Sequence, residues 1–316
     1  MAKEIFRFMI TDFYICLECK NSNLVSKNQK IECQSCGSIF EFKNYPIFVK
    51  RSYTESFGFQ WNKYNKTQLD SFNNLNISET RLFKTTNWKK NLKGEFILEA
   101  GSGSGRFTEI LAKTNATIFS FDSSNATEAN FKNNSHFKNV FIFRADIANI
   151  PLNLKFDKIL CLGVLQHTSN AEDCIKSLLC HLKPGGELVF DIYKKNFFHI
   201  FQWKYILRPF TTRIKKSTLL SLIKILSNTL YYPSLITYFV LKKLNNRIYP
   251  VVFYHNLIKN KKLCIEFSIL DSFDMYSPTY DNPMSIKQIK KMLLRLDLKI
   301  LNLDYGDNGI VCKSTL

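Results

Sequence analysis

The sequence predicts an α/β protein with a doubly wound, Rossmann-like sheet, a four-cysteine zinc ribbon before the sheet and a helical insertion within it. Three observations support this prediction. A glycine loop, "GSGSG", separates a short apolar run from an amphipathic one. Strand-like apolar runs then alternate with helical ones. Two Cys-x2-Cys pairs precede that alternation, separated by thirteen residues.

The four clustered cysteines, Cys16, Cys19, Cys33 and Cys36, have the spacing C-x2-C-x13-C-x2-C. Each pair can point two thiolates at one ion, and two pairs complete a tetrahedral Zn²⁺ site. The following "SIFEF" is typical of a returning strand. A disulfide reading is disfavoured because the start of the chain, "MAKEIFRFMITDF", lacks the features of a secretory signal. A closed four-thiolate site leaves no open coordination position, so we expect structural zinc.

The predicted α/β segment begins with a strand at "FILEA", followed by the glycine loop and a helix. Further strands are predicted at "TIFSFD", "VFIFRAD", "FDKILCLGVL" and "ELVFDIY", with a helix at "AEDCIKSLLCHL" and a turn at "PGG". A helix with Ser285 as its N-cap and two strands, "LKILNLDYG" and "GIVCK", end the chain.

These elements divide the 316 residues into five segments. Residues 1–50 form the zinc ribbon, and residues 51–94 a linker or lid. Residues 95–193 form the ligand-binding core, and residues 194–283 a helical basic insertion that covers the substrate. Residues 284–316 complete the core. The longest uncharged run, residues 225–241, falls short of a membrane span.

The glycine loop is interpreted by elimination. A P-loop would need a Lys after its last glycine, and a dinucleotide fingerprint would need a third glycine where Arg106 stands. The sequence is instead E-x-G-x-G-x-G, with Glu99, Gly101, Gly103 and Gly105. Close glycines let a ligand approach the backbone. A carboxylate at the end of the strand suits a cationic ligand rather than a pyrophosphate.

Two more acids end the next strands. Asp122 is placed to accept hydrogen bonds from ribose hydroxyls, and Asp146 from an adenine amino group. A cationic ligand with a ribose and an adenine is S-adenosylmethionine. Three neighbouring residues, Ser102, Ser123 and Ile147, complete the predicted cofactor site.

Residues 95–193 resemble the class I S-adenosylmethionine-dependent methyltransferases, and within them the type 11 group that includes ubiquinone and menaquinone methyltransferases. The resemblance rests on "ILEAGSGSGRFTE", "FRADIANIPL", "GVLQHT" and "LKPGGELVFDIY". It implies a seven-stranded methyltransferase sheet. One departure is Gln166, where many members have a second His.

The flanking segments carry two further resemblances. "SFGFQWNKYNKTQLDS" and "ILDSFDMYSPTYDNP" are similar to segments of a bacterial subgroup often found with glycan-assembly genes. The four-cysteine head resembles the zinc-ribbon activators of tRNA and translation-factor methyltransferases.

Methyl transfer to a hydroxyl needs alignment and a general base. His167, after the fourth core strand, is the candidate base; alternatively it only orients the loop. Tyr276, Tyr280 and Asp281 are candidates to line the acceptor pocket, or they pack in a connector. Phe59, Gln60 and Trp61 are candidates for a lid over the cofactor, or for core packing. Arg106 is expected to face solvent.

The net charge of +18 is concentrated in one segment: residues 191–262 contain 14 Lys and Arg and one acid. Large apolar residues interleave with these cations, which is compatible with an anionic membrane surface or with RNA phosphates. The alternative is a helical cap with solvated lysines.

Three functions follow from these patterns. The first is O-methylation of a saccharide or lipid-linked glycan by a cytoplasmic enzyme, peripheral at the inner membrane surface. The second is methylation of tRNA or rRNA, and the third a non-catalytic zinc-ribbon adapter.

Overall fold

The computed structural model describes residues 13–49, 55–195, 202–242 and 245–316. Parts of three predicted segments lie outside these ranges: the start of the ribbon, the start of the lid, and two short stretches of the basic insertion that include Lys243.

The ribbon contains four short strands: β1 (Leu24–Lys27), β2 (Lys30–Cys33), β3 (Ile39–Phe42) and β4 (Pro46–Ile47). They pair antiparallel in sequence order, as in a meander. The predicted returning strand at "SIFEF" is β3.

Three helices lie between the ribbon and the main sheet: α1 (Glu55–Lys63), α2 (Asp70–Asn73) and α3 (Ile77–Thr86). The main sheet then alternates with helices. Its elements are β5 (Phe96–Ala100), α4 (Arg106–Ala112), β6 (Thr117–Asp122), α5 (Ala126–Asn134), β7 (Val140–Arg144), β8 (Phe156–Cys161), α6 (Ala171–Leu179) and β9 (Leu182–Ile192).

The insertion is helical, as predicted. It contains α7 (Trp203–Thr211), α8 (Lys216–Thr229), α9 (Tyr231–Leu241), α10 (Asn245–Ile248) and α11 (Lys261–Tyr276). The chain closes with α12 (Ile286–Arg295), β10 (Lys299–Gly306) and β11 (Gly309–Thr315). Ser285 caps α12 in a capping box with Gln288, which confirms the predicted start of this helix.

The predicted seven-stranded sheet is present, in the order β7-β6-β5-β8-β9-β11-β10. Strands β5 to β9 are parallel, and β11 runs antiparallel to β9. The carboxyl ends of β5, β6, β7 and β8 therefore meet at one edge, where the predicted site residues lie. The predicted turn at Pro184–Gly186 lies within the bounds of β9, at an irregularity where the register with β8 shifts and Gly185 has a φ of 73°.

The sequence predicts the ribbon as a separate segment before the sheet, but the structure joins the two. β4 pairs parallel with β7 through Ile47 and Arg144, so one sheet of 11 strands runs through both parts. Tyr14 also stacks on Phe48 at 5.5 Å and meets Phe143 edge-on. Buried residues of the ribbon and the main sheet thus share one core.

Each face of the main sheet has its own core. Neighbouring residues of β5 illustrate the alternation, since Ile97 belongs to one core and Leu98 to the other. The insertion has a third core, in which α8 packs on α11. Among the described residues, no single helix is long and apolar enough to cross a membrane; α8 and α9 pass that test only together and meet at a bend of 58°.

Candidate active site

The glycine loop between β5 and α4 has a backbone that favours glycine. Gly101, Gly103 and Gly105 have φ values of 76°, 56° and 87°. A Cβ on Gly101 would lie 2.2 Å from Cγ2 of Val164, and one on Gly105 would lie 2.2 Å from Oδ1 of Asn130. The loop is therefore packed tightly between the end of β8 and helix α5.

Asparagines of α5, which are not among the predicted site residues, hold the loop. Asn130 donates to the Ser102 hydroxyl at 2.9 Å, and Asn134 donates to the Gly105 carbonyl at 2.9 Å. Asn133 donates to another loop carbonyl at 2.9 Å. The buried Ser102 hydroxyl therefore supports the loop from the α5 side, while the Ser102 backbone stays part of the predicted cofactor loop. The signal was the i, i+3, i+4 spacing of the asparagines on one helix.

Asp122 lies at the end of β6, half-buried, beside the loop. Its Oδ2 accepts from the Gly103 N–H at 2.9 Å, and its Oδ1 accepts from the backbone and hydroxyl of Ser124 at 2.8 and 2.6 Å. The carboxylate is thus fixed at the loop, in the position predicted for a ribose acceptor. Ser123 follows it, half-buried, and its carbonyl accepts from Nε of Arg144 at 2.9 Å.

Asp146 and Ile147 follow β7 at the same edge of the sheet. Asp146 is half-buried, and its Oδ1 accepts from the Ala148 N–H at 2.9 Å. Ile147 is buried and packs in the core shared with the ribbon. The structure therefore brings both of these predicted cofactor-site residues to the strand edge that carries Asp122.

Glu99 lies beneath the loop, which differs from the predicted ligand-facing position. It is 2% exposed, and its Oε2 accepts from the hydroxyls of Thr108 and Ser120 at 2.5 and 2.8 Å. Burial raises the pKa of its carboxyl to about 7. Its Oε1 has no hydrogen-bond partner among the described residues. A buried carboxyl with a spare oxygen under the loop is compatible with a cationic ligand above it.

Glu99→Gln is expected to reduce the loss of folding stability that occurs as the pH rises. The folded-state pKa of Glu99 is about 7, above the ordinary 4.5. As the pH rises from 4.5 to 7, the carboxyl ionises in the unfolded chain before it ionises in the folded protein, so the free energy of unfolding falls over this range. Gln keeps an oxygen for both hydroxyls and does not ionise. Urea unfolding at the two ends of this window should show the variant gaining up to about 3 kcal/mol relative to wild type at the alkaline end. Parallel pH curves would contradict this assignment.

Of the three lid candidates, Trp61 lies over the loop. Its Nε1 is 3.4 Å from the position that a Cβ would take on Gly103. Gln60 instead donates to the Leu270 carbonyl of α11 at 3.0 Å, and Phe59 lies 6.3 Å from the Phe273 ring, centroid to centroid. Helix α1 therefore touches both the glycine loop and the insertion.

Arg106 does not face solvent, so that expectation was wrong. It is half-buried, donates to Oε1 of Gln68 at 2.7 Å and lies over the Phe107 ring. Burial lowers its pKa to about 10. The guanidinium therefore belongs to the interior between the loop, the lid and the insertion.

His167 is buried in a short 3-10 turn, Leu165–His167, after β8. Its Nδ1 lies 3.1 Å from the Tyr280 carbonyl, and its Nε2 lies 3.8 Å from Oδ2 of Asp274. A carbonyl can only accept, so Nδ1 carries the proton and Nε2 is the basic nitrogen of the neutral ring. Val164, which begins this turn, touches the glycine loop at Gly101. His167 is thus held next to the cofactor loop.

A cluster of acids and tyrosines, also missed, faces His167 from the insertion. Asp274 of α11 accepts from the Tyr193 hydroxyl at 3.1 Å, and the Tyr193 ring meets His167 edge-on at 5.4 Å. Asp271, one turn earlier, accepts from the Tyr254 hydroxyl, and burial raises the pKa of its carboxyl. The i, i+3 spacing of two acids in the apolar second half of this helix was the available signal.

The three residues predicted to line the acceptor pocket lie in different environments. Tyr280 contacts His167 through its carbonyl, and Asp281 pairs with Lys204 of α7 at 2.6 Å. Tyr276 is 3% exposed, packs in the core of the insertion and donates to the Pro250 carbonyl at 2.6 Å. The expectation that Tyr276 lines the acceptor pocket was therefore wrong.

The four ribbon cysteines form a compact cluster that could hold a metal ion. All four sulfurs lie within 4.8 Å of one another, with Cys16 and Cys33 buried. Each pair is followed by a residue in the left-handed region, Lys20 with φ 61° and Gly37 with φ 73°, which turns the chain back toward the first cysteine. The Ser38 hydroxyl lowers the pKa of Cys36, whereas hydrogen bonds with the neighbouring thiols contribute to raising the pKa of Cys19, so Cys36 ionises more readily than Cys19. The donor set fits Zn²⁺.

Comparison with known proteins gives a family match that lies within the core. Residues 98–190 match the family described as "Methyltransferase domain". A stretch of 109 residues is 32% identical to a ubiquinone biosynthesis O-methyltransferase of Coxiella burnetii, over 34% of this chain and 47% of the relative. A stretch of 105 residues is 33% identical to a tRNA U34 carboxymethyltransferase of Campylobacter fetus, over 32% of this chain and 37% of the relative. The chain thus spans less than half the length of these curated relatives.

Among solved structures, the chain is similar to magnesium protoporphyrin IX methyltransferase from Synechocystis PCC 6803 with bound SAH. The match has a TM-score of 0.43 and 17% identity, and it covers 83% of this chain and 96% of that chain.

Proposed function

We propose that this chain methylates a hydroxyl of a saccharide or lipid-linked saccharide. Its residues 98–190 form a class I, type 11 methyltransferase domain, and the cofactor is S-adenosylmethionine. The cofactor supplies a methyl group already activated on a sulfonium. The protein's part is to bind and orient both ligands, exclude water and take up the hydroxyl proton.

The observation that carries the proposal is the arrangement of His167 beside the glycine loop. Its Nδ1 is engaged by the Tyr280 carbonyl, so Nε2, which is buried and faces Asp274, is the nitrogen that would take the acceptor proton once the acceptor is bound beside it. Asp274, 3.8 Å from Nε2, stabilises the imidazolium that results. Tyr193 donates to the same carboxylate and fixes its position. This is the chemistry that an O–H acceptor needs.

The surroundings of His167 support a hydroxyl-rich acceptor. Asp271 with Tyr254, and Asp281 with Lys204, present carboxylates, a phenol and an ammonium on the insertion side of the site. Such groups accept from and donate to sugar hydroxyls. Trp61 and helix α1 lie over the loop, where they exclude water from the cofactor. The flanking segments that resemble those of glycan-associated proteins agree with this acceptor class.

His167→Ala is expected to lower the turnover number by about 10²–10⁴-fold while cofactor affinity stays within about threefold of wild type. His167→Asn separates two roles, because its amide can still donate to the Tyr280 carbonyl but provides no basic nitrogen. Turnover measured by methyl transfer and affinity by calorimetry should show both variants equally impaired in chemistry. Recovery of turnover in the Asn variant would assign an orienting role instead. His136→Ala, at an exposed histidine, is the control.

The alternative acceptor is tRNA or rRNA. It is favoured by the similarity to a tRNA carboxymethyltransferase and by the cations of the insertion. Incubation with methyl-labelled cofactor, lipid-linked saccharides and bulk RNA distinguishes the two. Label in the saccharide supports our proposal, and label in RNA contradicts it. The adapter function is disfavoured, because the glycine loop and the strand-end acids Asp122 and Asp146 are intact.

A further inference from the structure

The insertion exposes apolar side chains on two consecutive helices. Of the twenty large apolar side chains that are exposed in the described part of the chain, twelve lie in residues 203–257. The most exposed are on α9, where Ile236, Phe239 and Val240 are 69%, 75% and 80% exposed. Monomeric proteins normally expose such residues singly rather than concentrated in one segment.

These side chains follow helical spacing, so they define a face of each helix. On α8, Leu222, Ile225 and Leu226 are exposed at i, i+3 and i+4. On α9, the exposed positions are 232, 236, 239 and 240, at i, i+4, i+7 and i+8. We call these seven residues the apolar stripe.

The apolar stripe is not used by the core of the insertion. The opposite face of α8, with Leu219, Leu220 and Ile223, is buried against α11. Ser227 and Ser268 join the same two helices by a hydrogen bond of 3.0 Å. Packing within the insertion therefore does not explain why the exposed face of these helices is apolar.

Cations flank the apolar stripe. Arg213 and Lys215 precede α8, Lys242 follows α9, and Arg247 lies in α10; all four are exposed. Within the described ranges, none of the four forms an ion pair. Residues 194–262 contain no Asp or Glu. The described part of this segment is therefore apolar with a basic margin and contributes no acid of its own.

We propose that the apolar stripe and its flanking cations dock on an anionic lipid bilayer. Amphipathic helices with a basic margin lie in the membrane interface, where apolar side chains enter the acyl boundary and cations meet anionic headgroups. A second copy of the chain is a poor occupant, because a symmetric contact would bring two basic margins together. RNA would use the cations but leaves the aliphatic side chains of the stripe exposed.

One helix joins the docking surface to the candidate active site, because α11 packs on the buried face of α8 and also carries Asp271 and Asp274. The docking inference itself does not rest on the proposed function.

Vesicle co-sedimentation of the full chain tests the proposal. The wild type should bind vesicles containing roughly one third phosphatidylglycerol and bind phosphatidylcholine vesicles weakly. Ile236→Ser with Phe239→Ser should lower vesicle binding at least about tenfold at low and high salt, because buried apolar area is lost. Lys215→Gln with Lys242→Gln should lower it several-fold at about 0.1 M salt and little at about 1 M salt.

The control is Leu294→Ser with Leu301→Ser, which removes exposed apolar residues outside the insertion and should leave vesicle binding unchanged. Thermal melting and cofactor affinity should match the wild type in every variant. Leu222→Ser with Ile225→Ser replaces the first apolar variant if that one fails to fold.

Four results would overturn the docking surface: no binding to anionic vesicles, unchanged binding after loss of Ile236 and Phe239, RNA binding that falls log-linearly with salt in place of vesicle binding, or a dimer that the apolar variant converts to monomer.

Discussion

Gly103→Val is expected to weaken S-adenosylmethionine binding by roughly 100-fold or more. Gly103 has a φ of 56°, a region that β-branched residues avoid, and its N–H donates to Asp122. A Cβ there would touch the indole of Trp61 at 3.4 Å, and the valine methyl groups extend further into the space between loop and lid. The substitution both distorts the loop and fills the surface that the cofactor approaches.

Gly94→Val provides a control matched for backbone strain. Gly94 precedes β5, has a φ of 87° and has nothing within 4 Å of its would-be Cβ. It should lose stability through strain and keep its affinity for the cofactor. Calorimetric titration of both variants decides the matter. Equal affinity in the two would show that the glycine loop does not contact the cofactor.

Asp122→Ala should have an effect of similar size. It removes the predicted ribose acceptor and also the partner of the Gly103 and Ser124 N–H groups. Asp122→Asn keeps one oxygen and part of this support, so it should bind more tightly than the Ala variant. Wild-type affinity in Asp122→Ala would contradict the assigned position of the ribose.

Local patterns in the sequence predicted the elements that build the sheet edge. The bounds of β5 and β6 match the quoted runs, because parallel strands buried on both faces read as continuous apolar segments. The glycines of the loop and the strand-end acids Asp122 and Asp146 were predicted in the same way, from the short stretches of sequence around them.

Contacts between distant segments could not be read in this way. The partners of His167 are Tyr280, Asp274 and Tyr193, which lie on segments that only the folded chain brings together. Tyr276 lies four residues before Tyr280, but its side chain packs into the core of the insertion. Which side of a connector faces a ligand depends on packing that sequence spacing does not encode.

The ribbon shows the same limit. Its cysteine spacing predicted the cluster, but strand β4 has two residues and gave no signal that it would extend the main sheet. A ribbon that lay outside the sheet could lose its zinc and leave cofactor binding intact. The structure removes that premise and changes the expected result.

Cys33→Ser is expected to lose the zinc, unfold the ribbon and lower cofactor affinity by roughly three- to tenfold. Structural zinc sites contribute folding free energy directly, on the order of 10 kcal/mol in isolated zinc-finger peptides. Cys33 is fully buried, so water cannot reach the site to take the place of the lost thiolate ligand. Metal analysis of the wild type should give one zinc per chain, and the variant should contain none.

The loss of affinity follows from contacts between the ribbon and the cofactor edge. The Phe48 N–H donates to the Arg144 carbonyl at 2.8 Å, and Arg144 donates to the Ser123 carbonyl after Asp122. Lys20, within the first cysteine knuckle, donates to Asn149 in the loop after Asp146 at 2.9 Å. An unfolded ribbon releases both loops but leaves the glycine loop in place, so the effect on affinity is moderate. Cys180→Ser, at an exposed cysteine outside the cluster, should retain both zinc and affinity. A Cys33→Ser protein that binds the cofactor as tightly as wild type would show that the sheet edge holds its geometry without the ribbon.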